Sequence, residues 1–132
     1  MVLIDTSVWV DFFNGKISDQ TEKLDHYLSS TVIIVGDLIL AEVLQGFRND
    51  KDYQIAKSLL TELELVQLCN SDLAIKSAQN YRMLRKQGIT IRKTIDCLIA
   101  TYCIETKTPL LFSDRDFVPY VENLRLKDAS VL

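Results

Sequence analysis

Four short aliphatic segments, separated by longer stretches with helical periodicity, most constrain the fold of this chain. The segments are Val2-Leu3-Ile4, Val32–Val35, Leu65–Leu68 and Leu110-Leu111-Phe112. Strands without polar alternation are typical of a parallel sheet that helices cover on both faces. The alternation therefore predicts an α/β fold, and right-handed crossovers leave few possible topologies for it.

Apolar spacing and capping residues predict the helices between these strands. The first predicted helix covers Ser7–Phe13, and the second begins at Asp19, with Glu22 in its first turn. A third helix is capped by Asp37, and helical spacing continues through Ile55–Leu63. A long helix runs from Ser71 to Gly88, and a further helix begins at Thr94. A last short strand is expected near Ala129–Leu132.

Length and composition fit a single domain over residues 1–132, with 48% hydrophobic residues and no low-complexity segment. The cysteines Cys69, Cys97 and Cys103 are odd in number and lack a CxxC spacing, so neither a disulfide framework nor a zinc site is expected. No apolar run is long enough to span a membrane, and the amino terminus does not resemble a secretory signal. We therefore expect a cytoplasmic protein.

Two acids follow strands directly, and two others interrupt apolar helical stretches. Asp5 ends the first strand, and Asp114, with Asp116 two residues later, follows the fourth. Glu42 and Asp96 each stand among apolar helical neighbours. Sites in open α/β sheets lie beyond the carboxyl ends of the strands, where strand order reverses. If the first and fourth strands are neighbours, their terminal carboxylates can share one ion.

Each of these acids also has an ordinary structural explanation. Asp5 can be a helix cap, Asp96 can complement a helix dipole, Glu42 can face solvent, and Asp114 and Asp116 can be turn residues. However, a carboxylate among apolar side chains rarely stays buried unless it is paired or binds a metal, and no lysine or arginine lies within one helical turn of Glu42. The four together favour a common site.

Clustered carboxylates raise one another's pKa values, and a divalent cation removes that repulsion. A ligand set made only of oxygen atoms favours Mg²⁺ or Mn²⁺ over zinc. Such an ion keeps open positions for phosphate oxygens and lowers the pKa of bound water. The chemistry indicated is metal-assisted phosphodiester hydrolysis, in which the single histidine, His26, is interpreted as an uninvolved surface residue.

Four motifs, in this order, resemble the PIN-domain ribonucleases of the VapC toxin family. The motifs are Val2–Trp9, Leu40–Gly46, Asp96–Thr101 and Leu111–Phe117, and the resemblance covers essentially all 132 residues. Two departures from the family pattern are Thr101, where many relatives have alanine, and Gly36-Asp37, where many have serine or threonine. Neither is a presumed ligand.

The resemblance implies that four acids are both catalytic and metal-binding, directly or through water: Asp5, Glu42, Asp96 and Asp114. It implies supporting positions at Thr6, Ser113 and Asp116. It further implies a three-layer α/β/α fold with a mostly five-stranded parallel sheet, a homodimer, and inhibition by a cognate VapB-type antitoxin in a larger toxin–antitoxin complex.

A basic group precedes Asp96 in the sequence. Its members, which have no acid between them, are Arg82, Arg85, Lys86, Arg92 and Lys93. Helical spacing of three and four places the first three on one face. A solvated helix surface explains the group as well as a phosphate track leading to Asp96 does, and the track would give salt-sensitive affinity without sequence choice.

Trp9, Phe12 and Phe13 form an aromatic group just after Asp5. Aromatic residues at helical spacing usually belong to a core. The alternative is a groove that accepts an amphipathic segment of the antitoxin.

The function expected from the sequence is a Mg²⁺- or Mn²⁺-dependent endoribonuclease, the toxin of a toxin–antitoxin pair, acting on tRNA or another structured RNA. The formal net charge of −3 does not by itself favour binding to nucleic acid. The alternatives are a receiver-type phospho-acceptor domain, a non-catalytic PIN-like binding module, and a nuclease that cleaves DNA. Receivers need a second acid beside Asp5, and Thr6 stands there instead.

Overall fold

The computed structural model describes all residues from 1 to 132 and contains one parallel sheet. Its strands are β1 (Val2–Ile4), β2 (Ile33–Gly36), β3 (Glu64–Val66) and β4 (Leu110–Leu111), in the order β3-β2-β1-β4. Leu3 of β1 pairs with Ile34 on one side and with Leu110 on the other. The strand order therefore reverses at β1, and the crevice between β1 and β4 is the topological switch point.

Seven helices flank the sheet: α1 (Thr6–Phe13), α2 (Asp19–Ser30), α3 (Asp37–Gln45), α4 (Asp50–Thr61), α5 (Ser71–Lys86), α6 (Thr94–Thr106) and α7 (Val118–Leu124). They pack in two groups, α1 to α4 and α5 to α7. This division follows from the handedness of the crossovers. The chain moves from β1 to β2 and β3 towards one edge of the sheet and then returns to β4 at the other edge. Right-handed crossovers in opposite directions place their helices on opposite faces. The predicted α/β fold with a helix-flanked parallel sheet is confirmed.

The prediction of a fifth strand near the carboxyl terminus is wrong. Residues Ala129–Val131 form a 3-10 turn, and a single parallel bridge between Leu110 and Asp128 is what remains of a fifth pairing. The reason lies in Asp128, whose Oδ1 accepts hydrogen bonds from the Ser130 amide at 2.8 Å and the Ser130 hydroxyl at 2.7 Å. This cap turns the chain away from the sheet after one residue pair.

The third strand ends before Leu68, which packs against Gly36. A Cβ at Gly36 would overlap the buried Leu68 side chain, and the Leu68 amide donates to Asp37 Oδ1 at 3.0 Å. Thus the departure at Gly36 has a packing cause. The second helix is capped by Ser18, not Asp19, through a reciprocal pair of bonds with Thr21.

The core consists of strand residues and the inward faces of the helices. Trp9, Phe117 and Tyr120 are among its largest fully buried side chains. The three cysteines are free thiols, as the sequence predicts. None of the seven helices combines the length and the apolar character needed to cross a membrane. Gly88 has a positive φ of 80° just after α5, as expected for a helix end.

Candidate metal centre

The parallel pairing of β1 with β4 brings two of the predicted acids to the same sheet edge. The Asp5 amide donates to the Leu111 carbonyl at 2.9 Å, so Asp5 lies beside the end of the fourth strand. Asp114 follows three residues after Leu111. The first and fourth strands are neighbours, which is the condition under which their terminal acids can share one ion.

Asp5 is buried and fixed by Ser7. Its side chain caps α1 by accepting from the Ser7 amide at 3.1 Å, and Asp5 Oδ2 also accepts from the Ser7 hydroxyl. That hydroxyl in turn accepts from the Ser113 amide at 3.2 Å, so it joins the two strand ends. Burial raises the pKa of Asp5, while the bonds from Ser7 act in the opposite direction. Asp5 is therefore both the helix cap and a member of the acidic group.

Glu42 reaches this edge from α3. Its Oε1 accepts a hydrogen bond from the Thr6 hydroxyl at 2.8 Å, and its side chain is half-buried. The charge of Glu42 raises the pKa values of both Asp5 and Asp96. Glu42 therefore lies within electrostatic range of both, although 37 residues separate it from Asp5 in the chain.

Asp96 is buried and its pKa is strongly raised. It lies in the first turn of α6 and is 8% exposed, and its Oδ2 is buried without a hydrogen-bond partner. Burial and the charges of Asp5, Asp114 and Glu42 raise its pKa from 3.8 to about 7, while Lys93 opposes them. Its side chain does not cap the helix. The dipole interpretation accounts for its place in the first turn and leaves its unpartnered oxygen unexplained.

Asp114 and Asp116 complete the group. One carboxylate oxygen from each of Asp96, Asp114 and Asp116 lies within 4.8 Å of the others. Asp114 Oδ1 also caps the following 3-10 turn by accepting from the Asp116 amide at 2.9 Å. Lys93 Nζ lies 3.6 Å from Asp114 Oδ2, and the charges of Asp96 and Asp114 raise the pKa of Lys93.

The donor set fits a hard divalent cation. All the groups are carboxylates, one buried oxygen has no partner, and mutual repulsion raises the pKa values of Asp5 and Asp96. A cation that accepts oxygen ligands would relieve each of these unfavourable features. The residues that could hold it are Asp96, Asp114 and Asp116, whose oxygens are grouped, together with Asp5 and Glu42, which act on the group electrostatically.

A larger cavity, of about 400 Å³, lies between α5 and α6 and is mainly apolar. It is lined by Tyr81, Cys97 and Leu98 among others, and no carboxylate faces it. This cavity therefore lies apart from the carboxylates at the strand ends.

The predicted basic residues divide into two sets. Arg82, Arg85 and Lys86 are exposed on α5, and the Arg85 guanidinium lies 5.6 Å from the Tyr81 ring centre. Arg92 and Lys93 instead line a small polar cavity beside Asp96. Only the second set lies beside the acidic group, and within it Lys93 contacts Asp114.

The aromatic group needs one correction. Trp9 is completely buried, so it belongs to the core and cannot line a groove. Its ring stacks on Phe13 at 5.8 Å between centres. Phe12 and Phe13 are half-buried, and Phe13 meets Phe47 edge to face at 5.6 Å, beside a cavity of about 100 Å³. Phe47 was not recognised from the sequence.

Two further residues escaped the sequence analysis as parts of the site. Ser7 lies two residues after Asp5, where a helix-capping side chain accepts a hydrogen bond. This spacing could have indicated that Ser7 contacts Asp5. Arg115 lies between Asp114 and Asp116 and shares a cavity with Arg92. Only the folded chain shows this proximity.

Comparison with known proteins agrees with this geometry. The PIN domain family model matches residues 2–121. Ribonuclease VapC11 of Mycobacterium tuberculosis is 30% identical over 132 residues, covering 98% of each chain.

Solved structures share the fold. VapBC2 from Rickettsia felis, bound to a DNA fragment from its promoter, has a TM-score of 0.76 at 17% identity and covers 96% of each chain. FitAcB from Neisseria gonorrhoeae has a TM-score of 0.75 at 14% identity and covers 97% of this chain and 96% of its own. Because the family model spans most of its length and a curated VapC ribonuclease is 30% identical over 98% of each chain, this chain belongs to the PIN-domain family and, within it, to the VapC ribonucleases.

Proposed function

We propose that this protein is a Mg²⁺- or Mn²⁺-dependent endoribonuclease and the toxin of a VapBC-type toxin–antitoxin pair. The observation that carries the proposal is the convergence of acids from four separate segments at the switch point of the sheet, with Asp96 Oδ2 buried and unpartnered. Family membership supports the same activity, because curated relatives that are 30% identical over 98% of each chain are named VapC ribonucleases.

Asp5, Glu42, Asp96 and Asp114 would hold the ion as catalytic metal ligands. A bound divalent cation supplies an activated water and stabilises charge on the leaving oxygen. The chain itself holds the carboxylates in place: the Ser7 hydroxyl fixes Asp5, and the Thr6 hydroxyl fixes Glu42.

Asp116 and Ser113 are proposed to support the site, and the Asp116 carboxylate is also close enough to Asp96 and Asp114 to be a further ligand. The Asp116 amide donates to Asp114, and the Ser113 amide donates to Ser7. Both contacts fix the turn after β4, and this turn sets the position of Asp114.

The substrate is proposed to be tRNA or another structured RNA, held by its phosphates. Arg82, Arg85 and Lys86 supply an exposed basic helix face, and Arg92 and Lys93 extend it towards Asp96. Replacing Arg85 and Lys86 by alanine should weaken RNA binding and flatten its salt dependence, because phosphate contacts release counter-ions. An unchanged slope would remove this helix face from the interface.

The partner is proposed to be a VapB-type antitoxin whose amphipathic segment packs beside Phe12 and Phe13. Phe47 adds a third ring, and an adjoining cavity of about 400 Å³ extends the surface towards Ile55. Helix-in-groove binding uses such half-buried aromatic surfaces. A homodimer of the toxin, assembled with antitoxin into a larger complex, completes the proposal.

The test is RNA cleavage by the wild-type protein and by Asp5→Asn, with exposed Asp25→Asn as the matched control. We expect cleavage by wild type and Asp25→Asn in Mg²⁺ or Mn²⁺, none by Asp5→Asn, and none by any of them in excess chelator. Mapping RNA ends after brief expression would identify the bond that is cut.

Cleavage at the wild-type rate in chelator would contradict the metal mechanism. A folded wild-type protein that binds RNA without cleaving it would favour the non-catalytic binding module, and cleavage of DNA alone would favour a deoxyribonuclease. Membership of the PIN family excludes the receiver-type alternative.

A further inference from the structure

A small polar cavity adjoins the acidic group and contains three cationic side chains. It measures about 80 Å³ and is formed by the segment before α6 and by the turn after β4. Arg92 and Lys93 enter it from the first, Arg115 enters it from the second, and Asp96 and Asp116 lie on its wall. Cavities that enclose drug-sized ligands start at about 300 Å³, so this one suits a single small group.

The two arginines in this cavity are unpaired. Lys93 forms an ion pair with Asp114, whereas neither Arg92 nor Arg115 makes a hydrogen bond or an ion pair with the chain. Among basic side chains, it is Lys93 that lowers the pKa of Asp96. Neither guanidinium group is held in an ion pair, so the N–H donors of both are available to a ligand.

We infer that Arg92 and Arg115 form a subsite for one phosphate of the RNA backbone next to the bond that is cut. The inference rests on the proposed ribonuclease function. Guanidinium groups bind phosphate with two parallel hydrogen bonds, and Arg92 and Arg115 reach the cavity from different segments. One phosphate held between them would position the neighbouring phosphodiester over the carboxylates. Arg92 and Arg115 are thus positioning residues, and Arg115 is an addition to the basic residues recognised from the sequence.

Lys93 is not assigned to this subsite. Its ammonium group is already neutralised by Asp114, so it offers less attraction to an incoming anion than the arginines do. The exposed set on α5 is separate too, because Arg82 lines other cavities and not this one.

The experiment measures binding of a labelled, unstructured RNA oligonucleotide by fluorescence anisotropy in excess chelator, where metal-dependent cleavage does not occur. The variants are Arg115→Ala, Arg92→Ala and the double variant. Arg48→Ala is the matched control, because Arg48 is also exposed but lines a different cavity, beside Phe47. Since neither arginine has an intramolecular partner, all variants should keep the melting temperature of the wild type.

We expect each single variant to raise the Kd roughly tenfold, as loss of one charge-assisted contact does. The double variant should raise it by less than the product of the single effects, because both arginines hold the same phosphate. Its salt slope should be shallower by about 0.7, the value for one phosphate of a single strand. Arg115→Lys should recover part of the affinity, because it restores the charge but not the paired donors.

A wild-type Kd and salt slope in the double variant would overturn the subsite, as would the absence of measurable RNA binding by the wild type. Multiplicative effects would place the arginines on separate phosphates and would also overturn it. The ribonuclease proposal is tested separately by cleavage in Mg²⁺. If the wild type cleaves RNA while the arginine variants bind normally, only the subsite is wrong. If the arginines hold phosphate but no RNA is cleaved, the ribonuclease proposal fails and the subsite remains.

Discussion

Replacing Asp96 by asparagine should stabilise the metal-free protein while abolishing its activity. The Asp96 carboxyl is buried among other carboxylates, and its pKa is raised from 3.8 to about 7. At about 1.36 kcal/mol per pKa unit, this difference corresponds to about 4 kcal/mol of destabilisation once the group is ionised. Salt screening and relaxation of the neighbouring acids reduce the measurable part, so we expect a gain of about 2 kcal/mol.

The sign of this effect depends on pH. A carboxyl whose pKa is higher in the folded state than in the unfolded state costs no stability below the unfolded value of about 3.9. The cost appears as pH rises from about 4 to about 7 and is complete above that range. The advantage of Asp96→Asn should therefore be near zero at pH 4 and largest above pH 7.

Thermal unfolding in excess chelator, followed by circular dichroism at several pH values, measures this effect. For a chain of this size, about 2 kcal/mol raises the melting temperature by roughly 6–10 °C. Asp25→Asn, on the exposed face of α2, is the control and should change little. Adding Mg²⁺ should reverse the order of stability, because the wild type gains about 2.7 kcal/mol at one hundred times its Kd and the variant gains much less. If Asp96→Asn is no more stable at pH 8, or equally favoured at pH 4, the electrostatic reasoning is refuted.

Three further substitutions test the contacts around the site. Ser7→Ala removes the hydroxyl that fixes Asp5 and should lower the Mg²⁺ affinity by roughly 10–100-fold, measured by calorimetry. Gly36→Ala should cost about 1–3 kcal/mol in chemical unfolding, because the new methyl group overlaps Leu68, and Leu68→Ala in the same chain should recover part of that cost. Phe13→Ala should weaken co-purification with the antitoxin and leave RNA cleavage intact, because the ring lies at the opposite end of α1 from Asp5 and lines an apolar cavity.

Each of these substitutions has a control or a contrary outcome. Ser29→Ala removes an exposed hydroxyl on α2 and should leave metal binding unchanged. Additive costs in the glycine–leucine double variant would show that the overlap is relieved elsewhere. Loss of cleavage in Phe13→Ala would mean that the aromatic surface supports the catalytic site as well as the partner.

The sequence was sufficient to predict the parallel sheet and the convergence of its acids, because both follow from local features. A strand that is apolar at every position is predicted to be buried on both faces. An acid placed directly after such a strand must lie at its carboxyl end. Neighbouring strands then bring Asp5 and Asp114 to one edge without any knowledge of side-chain packing. The likeness to known motifs added the ligand roles of Glu42 and Asp96, which spacing alone left open.

Other features depend on tertiary closure and leave no local signal. The fifth strand fails because Asp128 caps a turn, although the aliphatic residues that follow are typical of a strand. Arg115 and Arg92 line the same cavity although they are 23 residues apart in the chain. Burial of Trp9 beneath Phe13 cannot be distinguished from exposure on a groove by helical spacing, because both positions lie on the apolar side of α1.

Acidic and basic side chains alternate at this site, and this arrangement predicts that metal binding and RNA binding are coupled. Lys93 contacts Asp114, and Arg115 stands between Asp114 and Asp116, so without a cation the acids oppose any phosphate that the basic residues attract. Neutralising the acids removes that opposition, and linkage requires RNA to raise the metal affinity by the same factor. In Asp5→Asn, which is expected to be inactive but keeps the other acids, Mg²⁺ at a concentration high enough to offset the lost ligand should tighten RNA binding about tenfold.

The direction of this change separates coupling from simple screening. Mg²⁺ that only screens the RNA backbone weakens binding to any basic surface. A variant in which Asp96 and Asp114 are both asparagine should therefore show weaker RNA binding in Mg²⁺, whereas Asp5→Asn shows tighter binding. If both proteins lose affinity equally, the acids do not control the approach of the substrate. If only Asp5→Asn gains affinity, the net charge of −3 conceals a site whose attraction for RNA is created by its metal.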